Sequence, residues 1–152
     1  MPFNWLSRIK TSIQSEESAP ATLDTARLYA TLMLEIAQAD QVESDAEQRV
    51  IEESLKRVFA LNDDDCRLIA RDARNELAKA PGLYQFTREV NETMTLTERK
   101  TLIRSLWLVA LADNHIDKYE EAAIRKIADL LYVSHGDFMQ AKHSAQQTAS
   151  ER

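Results

Sequence analysis

Residues 36–40 read Ile-Ala-Gln-Ala-Asp, and residues 109–113 read Val-Ala-Leu-Ala-Asp, so the same helix end recurs 73 positions later. Apolar residues cover most sides of the helix that leads into each stretch, which predicts a helix packed on several sides. A second helix with one apolar face follows each of them within a few residues. The sequence therefore predicts two copies of one helix-loop-helix unit, packed face to face with both apolar helices inside.

Composition points to the same class. The chain has 152 residues, the usual size of one domain, and only two Gly and three Pro, too few for a protein built of strands and tight turns. Two copies are also too few for an open solenoid. We expect an all-α protein, a compact bundle of about seven helices with an internal duplication.

Three regions follow from the distribution of apolar and polar residues. We expect residues 1–20 to be an N-terminal amphipathic segment and a polar linker, and residues 21–144 to be the helical domain. Residues 145–152 are polar, and we expect them to be a frayed tail.

Charge and cysteine content restrict the class of protein. The net charge of −6 disfavours nucleic acid as a partner, because like charges repel the phosphate backbone. Cys66 is the only cysteine and cannot form an internal disulfide, and no stretch resembles a signal sequence or a membrane span. We expect a cytoplasmic protein in which Cys66 fills space in the core. No catalytic motif is present, so we expect no enzymatic activity.

The acidic residues of the two loops allow two interpretations. Ser44-x-x-Glu47 and Asp117-x-x-Glu120 have capping-box spacing, which gives both glutamates a structural role. Asp40 and Asp113 end apolar helices, where the helix dipole disfavours an anion, so each needs backbone donors or a cation. The four carboxylates Asp40, Glu47, Asp113 and Glu120 are thus candidate ligands for Ca²⁺ or Mg²⁺.

Neither loop is an EF-hand, because neither aspartate starts the Asp-x-Asp-x-Asp-Gly pattern. His115 could add a nitrogen ligand and favour Zn²⁺, but its counterpart in the first copy is Val42. An exposed loop histidine without a ligand role is the simpler interpretation.

These twin Ala-x-Ala-Asp units, each followed by Glu seven residues later, resemble the TerB-like domain of tellurite-resistance proteins, also found in DjlA-type co-chaperones. The resemblance covers about residues 22–143. It implies a bundle of seven or eight helices with an acidic metal-binding surface, and it implicates Asp40, Glu47, Asp113 and Glu120. The family motif commonly has Gly after the Asp, whereas this chain has Gln41 and Asn114.

The N-terminal segment is the second candidate site. Phe3, Trp5, Leu6 and Ile9 form an apolar face that could bind a protein partner or pack on the chain's own domain. Two basic residues give little attraction to a membrane surface, which argues against that location. We therefore expect a non-enzymatic, stress-associated module that binds a divalent cation, or alternatively a scaffold or co-chaperone-like adaptor. The sequence gives no indication of the oligomeric state.

Overall fold

The computed structural model describes residues 19–39, 44–79, 82–113 and 116–151. In these ranges the chain forms seven α-helices and no strand. The helices are α1 (Ala19–Ala37), α2 (Asp45–Phe59), α3 (Asp63–Lys79), α4 (Tyr84–Thr93), α5 (Leu96–Ala110), α6 (Lys118–Leu130) and α7 (His135–Ser150). The predicted all-α bundle is confirmed.

Helices α1 and α5 are the centre of the bundle. Helix α1 contacts α2 to α6, and α5 contacts α1, α2, α6 and α7. Both central helices are apolar nearly all round, so neighbours on several sides are needed to remove them from water. Trp107 of α5 is fully buried, as its position in an apolar helix predicts, and its ring lies 5.4 Å from that of Phe138 on α7.

The internal repeat contains three helices in each copy, one more than the sequence pattern indicated. Helices α1, α2 and α3 form the first copy, and α5, α6 and α7 form the second, with α4 between them. Asn62 before α3 and Ser134 before α7 each accept a hydrogen bond from the N–H three residues later. In each copy the third helix packs against the central helix, α3 on α1 and α7 on α5.

The second copy is one residue shorter than the first. Residues of α1 correspond to residues of α5 that lie 73 positions later. The two residues with a left-handed backbone, Ala60 and Tyr132, are only 72 positions apart. A constant spacing of 73 residues would pair Phe59 with Tyr132, whereas the 72-residue spacing of the left-handed residues pairs Phe59 with Leu131. The missing residue falls between the N-cap of the second helix and the left-handed residue after it, because the N-caps Ser44 and Asp117 are 73 positions apart and Ala60 and Tyr132 are 72 apart.

The C-terminal residues differ from the prediction of a frayed tail after residue 144. Helix α7 continues to Ser150, and Ala145 is fully buried. The Arg104 side chain of α5 donates to Ser144 Oγ at 2.9 Å and to Thr148 Oγ1 at 2.6 Å. These bonds from a distant part of the chain hold the last turns of α7 against α5.

The described helices include none with the length and apolarity needed to cross a membrane.

Candidate functional site

The loop of the second copy joins α5 to α6 and contains Asp113. The chain leaves α5 through a turn in which the Ala112 N–H donates to the Val109 carbonyl at 3.1 Å, and Asp113 follows with an exposed side chain. Helix α6 begins after Asp117, whose Oδ2 accepts hydrogen bonds from the N–H groups of residues 119 and 120. Glu120 completes the capping box, with Oε1 accepting from the Asp117 N–H at 3.4 Å.

The loop of the first copy has the same two boundaries. The Ala39 N–H donates to the Ile36 carbonyl at 3.1 Å just after α1. At the start of α2, Ser44 Oγ accepts from the Glu47 N–H at 3.1 Å, and Glu47 Oε1 accepts from the Ser44 N–H at 2.9 Å. Asp40 itself lies outside the described residues. The predicted capping role of Glu47 and Glu120 is confirmed in both copies.

Both capping glutamates are buried, although such residues commonly lie at the surface. Glu47 is 4% exposed and Glu120 is 3% exposed. An ionised carboxylate has about four acceptor positions, and the backbone N–H of the cap occupies one of them. The capping role is therefore compatible with a further ligand on the same carboxylate.

A metal centre is not assembled by the described residues alone, which contain no group of three or more His, Cys, Asp or Glu side chains placed to hold an ion. Glu47, Asp113 and Glu120 lie in that part of the chain, whereas Asp40 and His115 lie outside it. The structure therefore leaves the four-carboxylate site as a prediction.

Comparison with known proteins identifies a family whose model spans both capped loops. A family model described as tellurite resistance protein TerB matches residues 26–143. The chain belongs to the TerB family. No curated protein and no solved structure matches it.

The second predicted site, formed by Phe3, Trp5, Leu6 and Ile9 ahead of the TerB match, lies outside the described residues. Cys66 has the expected packing role, because it is 1% exposed in the core. Burial, together with the nearby carboxylates of Asp63 and Glu52, raises the pKa of its thiol to about 11. A thiol with such a pKa is protonated and inert at neutral pH.

Sequence reasoning missed an ionic cluster where α1, α3 and α4 of the TerB domain meet. Arg27 of α1 lies 3.7 Å from a carboxylate oxygen of Glu76 and 3.7 Å from one of Glu89. Asp72 is buried beside them, and its pKa is raised by burial and by the charge of Glu76. These residues are far apart in sequence, so no local spacing indicated the cluster.

Sequence reasoning also missed three exposed tyrosines on the TerB domain. Tyr84, Tyr119 and Tyr132 are 73%, 58% and 78% exposed. Tyr132 also has a left-handed backbone, with φ of 57°. This conformation is rare for a bulky residue and cannot be recognised from residue type alone.

Proposed function

We propose that this TerB family member is a non-enzymatic module, associated with stress and tellurite resistance, that binds a divalent cation such as Ca²⁺ or Mg²⁺ at its duplicated acidic loops. The observation that carries this proposal is the burial of a glutamate at the equivalent cap of both copies, Glu47 and Glu120.

A buried carboxylate is costly unless it is paired with donors or a cation. The capping N–H donates to the carboxylate at both sites, at 2.9 Å for Glu47 and 3.4 Å for Glu120. Asp40 and Asp113 bring a second carboxylate to the same loop, at a helix end whose dipole disfavours an anion. A hard cation next to each pair would offset both costs, and carboxylate oxygens are the ligands that Ca²⁺ and Mg²⁺ prefer.

Calorimetric titration of the chelator-stripped protein with Ca²⁺, Mg²⁺, Mn²⁺ and Zn²⁺ tests this proposal. We expect a dissociation constant in the micromolar to millimolar range, with Ca²⁺ or Mg²⁺ preferred over Zn²⁺. Asp40→Asn and Asp113→Asn should each weaken binding at least about tenfold, because each removes a charged ligand. Asp24→Asn is the matched control, since Asp24 is an exposed aspartate on α1 away from both loops.

Glu47→Gln and Glu120→Gln separate the two roles of the glutamates. Glutamine retains the capping hydrogen bond, so the unfolding temperature should change little. Cation affinity should fall, because the amide carries no charge. Absence of binding at millimolar metal, or binding that none of the four substitutions affects, would overturn the proposal.

A second candidate function, a scaffold or co-chaperone-like adaptor that uses helix faces and the N-terminal segment, is favoured by the exposed tyrosines. Tyrosine is enriched in protein interfaces relative to the rest of the surface. Affinity capture with the wild-type chain and with a Tyr84→Ser, Tyr119→Ser, Tyr132→Ser variant tests it. We expect a partner that only the wild type retains, with or without chelator. Equal capture by both proteins would contradict this role.

A further inference from the structure

Helix α4, which connects the two copies, shows where a helix placed ahead of a repeat unit packs. Asn91 of α4 donates from Nδ2 to the Leu130 carbonyl at the end of α6, at 2.9 Å. Glu89 of α4 pairs with Arg27 of α1. Phe86 and Val90 are buried on the same helix. The helix that precedes the second copy therefore lies between that copy's second helix and the central helix of the other copy.

The equivalent place in the first copy is a groove of about 560 Å³, named here the terminal groove. It lies between α2 and α5 and is also lined by residues of α1 and by Thr93, the last residue of α4. Its walls include Val58 and Phe59 at the end of α2, Thr97 and Thr101 on α5, and Thr25 and Tyr29 on α1. Among the helices that the structure describes, none fills the position that α4 fills in the second copy.

Some residues of the groove correspond to positions next to the residues that α4 contacts. At the 72-residue spacing of the helix ends, Val58 corresponds to Leu130. The Leu130 carbonyl accepts the hydrogen bond from Asn91 of α4. At the 73-residue spacing, Thr97 and Thr101 correspond to positions 24 and 28 of α1. These two positions lie on either side of Arg27 in the sequence, and Arg27 forms an ion pair with Glu89 of α4. The internal symmetry thus relates part of the open groove to the surroundings of α4.

A segment that could fill the terminal groove lies just before α1 in the sequence. Residues 3–13 precede α1 as α4 precedes α5, and Leu6, Ile9 and Ile13 recur at helical spacing. The linker of residues 14–18 spans up to about 17 Å when extended. Thr25, which lines the groove, is fewer than two turns from the start of α1. The linker is therefore long enough to connect the start of α1 with a segment bound in the groove.

We propose that residues 3–13 dock in the terminal groove as an amphipathic helix, the counterpart of α4 in the first copy, with their apolar face against Val58 and Phe59. Residues that would otherwise be free to bind a partner are then held on the chain's own surface. This contact is independent of cation binding at the acidic loops.

Disulfide trapping in the full chain tests the docking. In a Cys66→Ala background, we expect Ile9→Cys and Thr101→Cys to form an intramolecular disulfide under mild oxidation. The control pair is Ile9→Cys with Asn75→Cys, an exposed position on α3, which does not line the groove. This pair should form little. Equal trapping by both pairs, no trapping at the groove, or trapping only between two chains would overturn the proposal, and the last result would support the adaptor role.

A double-substitution cycle provides a second readout that does not need the cysteines. Ile9→Ser weakens the apolar face, and Thr101→Arg places a bulky side chain in the groove at an exposed position. We expect each to lower the unfolding temperature and the pair to lower it no further than the larger single effect, because both remove one contact. Fully additive effects would contradict the docking.

Discussion

Tyr132 occupies a position where glycine should make the protein more stable. Helix α6 ends in a Schellman turn, in which the Val133 N–H donates to the Ala128 carbonyl at 3.0 Å and the Tyr132 N–H donates to the Asp129 carbonyl at 3.2 Å. This turn needs a left-handed residue, and Tyr132 has φ of 57°. Any residue with a Cβ is strained there, and glycine is not.

The size of the effect follows from two opposing terms. Tyr132→Gly removes a left-handed strain of about 1–2 kcal/mol. The greater freedom of glycine in the unfolded chain offsets about 0.4–1 kcal/mol of that gain. Since the Tyr132 side chain is 78% exposed, little packing is lost. The net stabilisation should be roughly 0.5–1 kcal/mol, which raises Tm by about 1–4 °C in a chain of this size.

Thermal unfolding followed by circular dichroism measures the change, with two further variants for comparison. Tyr132→Ala removes the side chain but keeps the strained backbone, so its Tm should stay near that of the wild type. Ala60→Gly acts at the equivalent position of the first copy, where φ is 56°, and should give a gain of similar size. If Tyr132→Gly were no more stable than Tyr132→Ala, the strain would be absent and the reasoning refuted.

Three other predictions concern the core and its buried titratable groups. Trp107→Ala should lower the free energy of unfolding by about 3–5 kcal/mol in a urea titration, because it empties a fully buried site; a loss within about 0.5 kcal/mol would mean a surface position. At about pH 8 the native Cys66 thiol, with its pKa raised to about 11, should resist a thiol reagent that modifies it quickly in the unfolded chain; equal rates in both states would contradict this. Burial raises the pKa of Asp72, so its contribution to stability is largest when it is protonated and is lost as the pH rises through the folded-state pKa. Asp72→Asn should therefore lose less stability than the wild type between about pH 4 and pH 7, as urea unfolding at both values would reveal, and a greater loss would contradict the assignment.

Much of the fold was predictable because its determinants are local. Ser44-x-x-Glu47 and Asp117-x-x-Glu120 each specify a helix start through bonds within four residues, and both capping boxes form as expected. The buried position of Trp107 follows from a helix that is apolar on nearly all sides. Such signals depend on short-range geometry that the sequence displays directly.

The features that were missed depend on contacts between distant residues. Residues 145–150 are too polar to suggest a packed helix, and only the position of Arg104 beside Thr148 shows why they are held. The third helix of each copy is hard to match because the spacing changes from 73 to 72 between the N-cap of the second helix and the left-handed residue after it. For the acidic loops, sequence reasoning gave both the capping role and the cation hypothesis, and only the capping role is confirmed.

The burial of both central helices has a consequence for how a single unit would behave. A chain ending after α3 would expose the side of α1 that α5 covers, so its apolar surface would favour pairing with a second copy. In such a homodimer, folding would depend on protein concentration. In the duplicated chain, covalent linkage through α4 makes the association intramolecular, with an effective concentration in the millimolar range or above. Each molecule supplies both halves of its own core, so a second chain is not needed to cover the apolar side of α1.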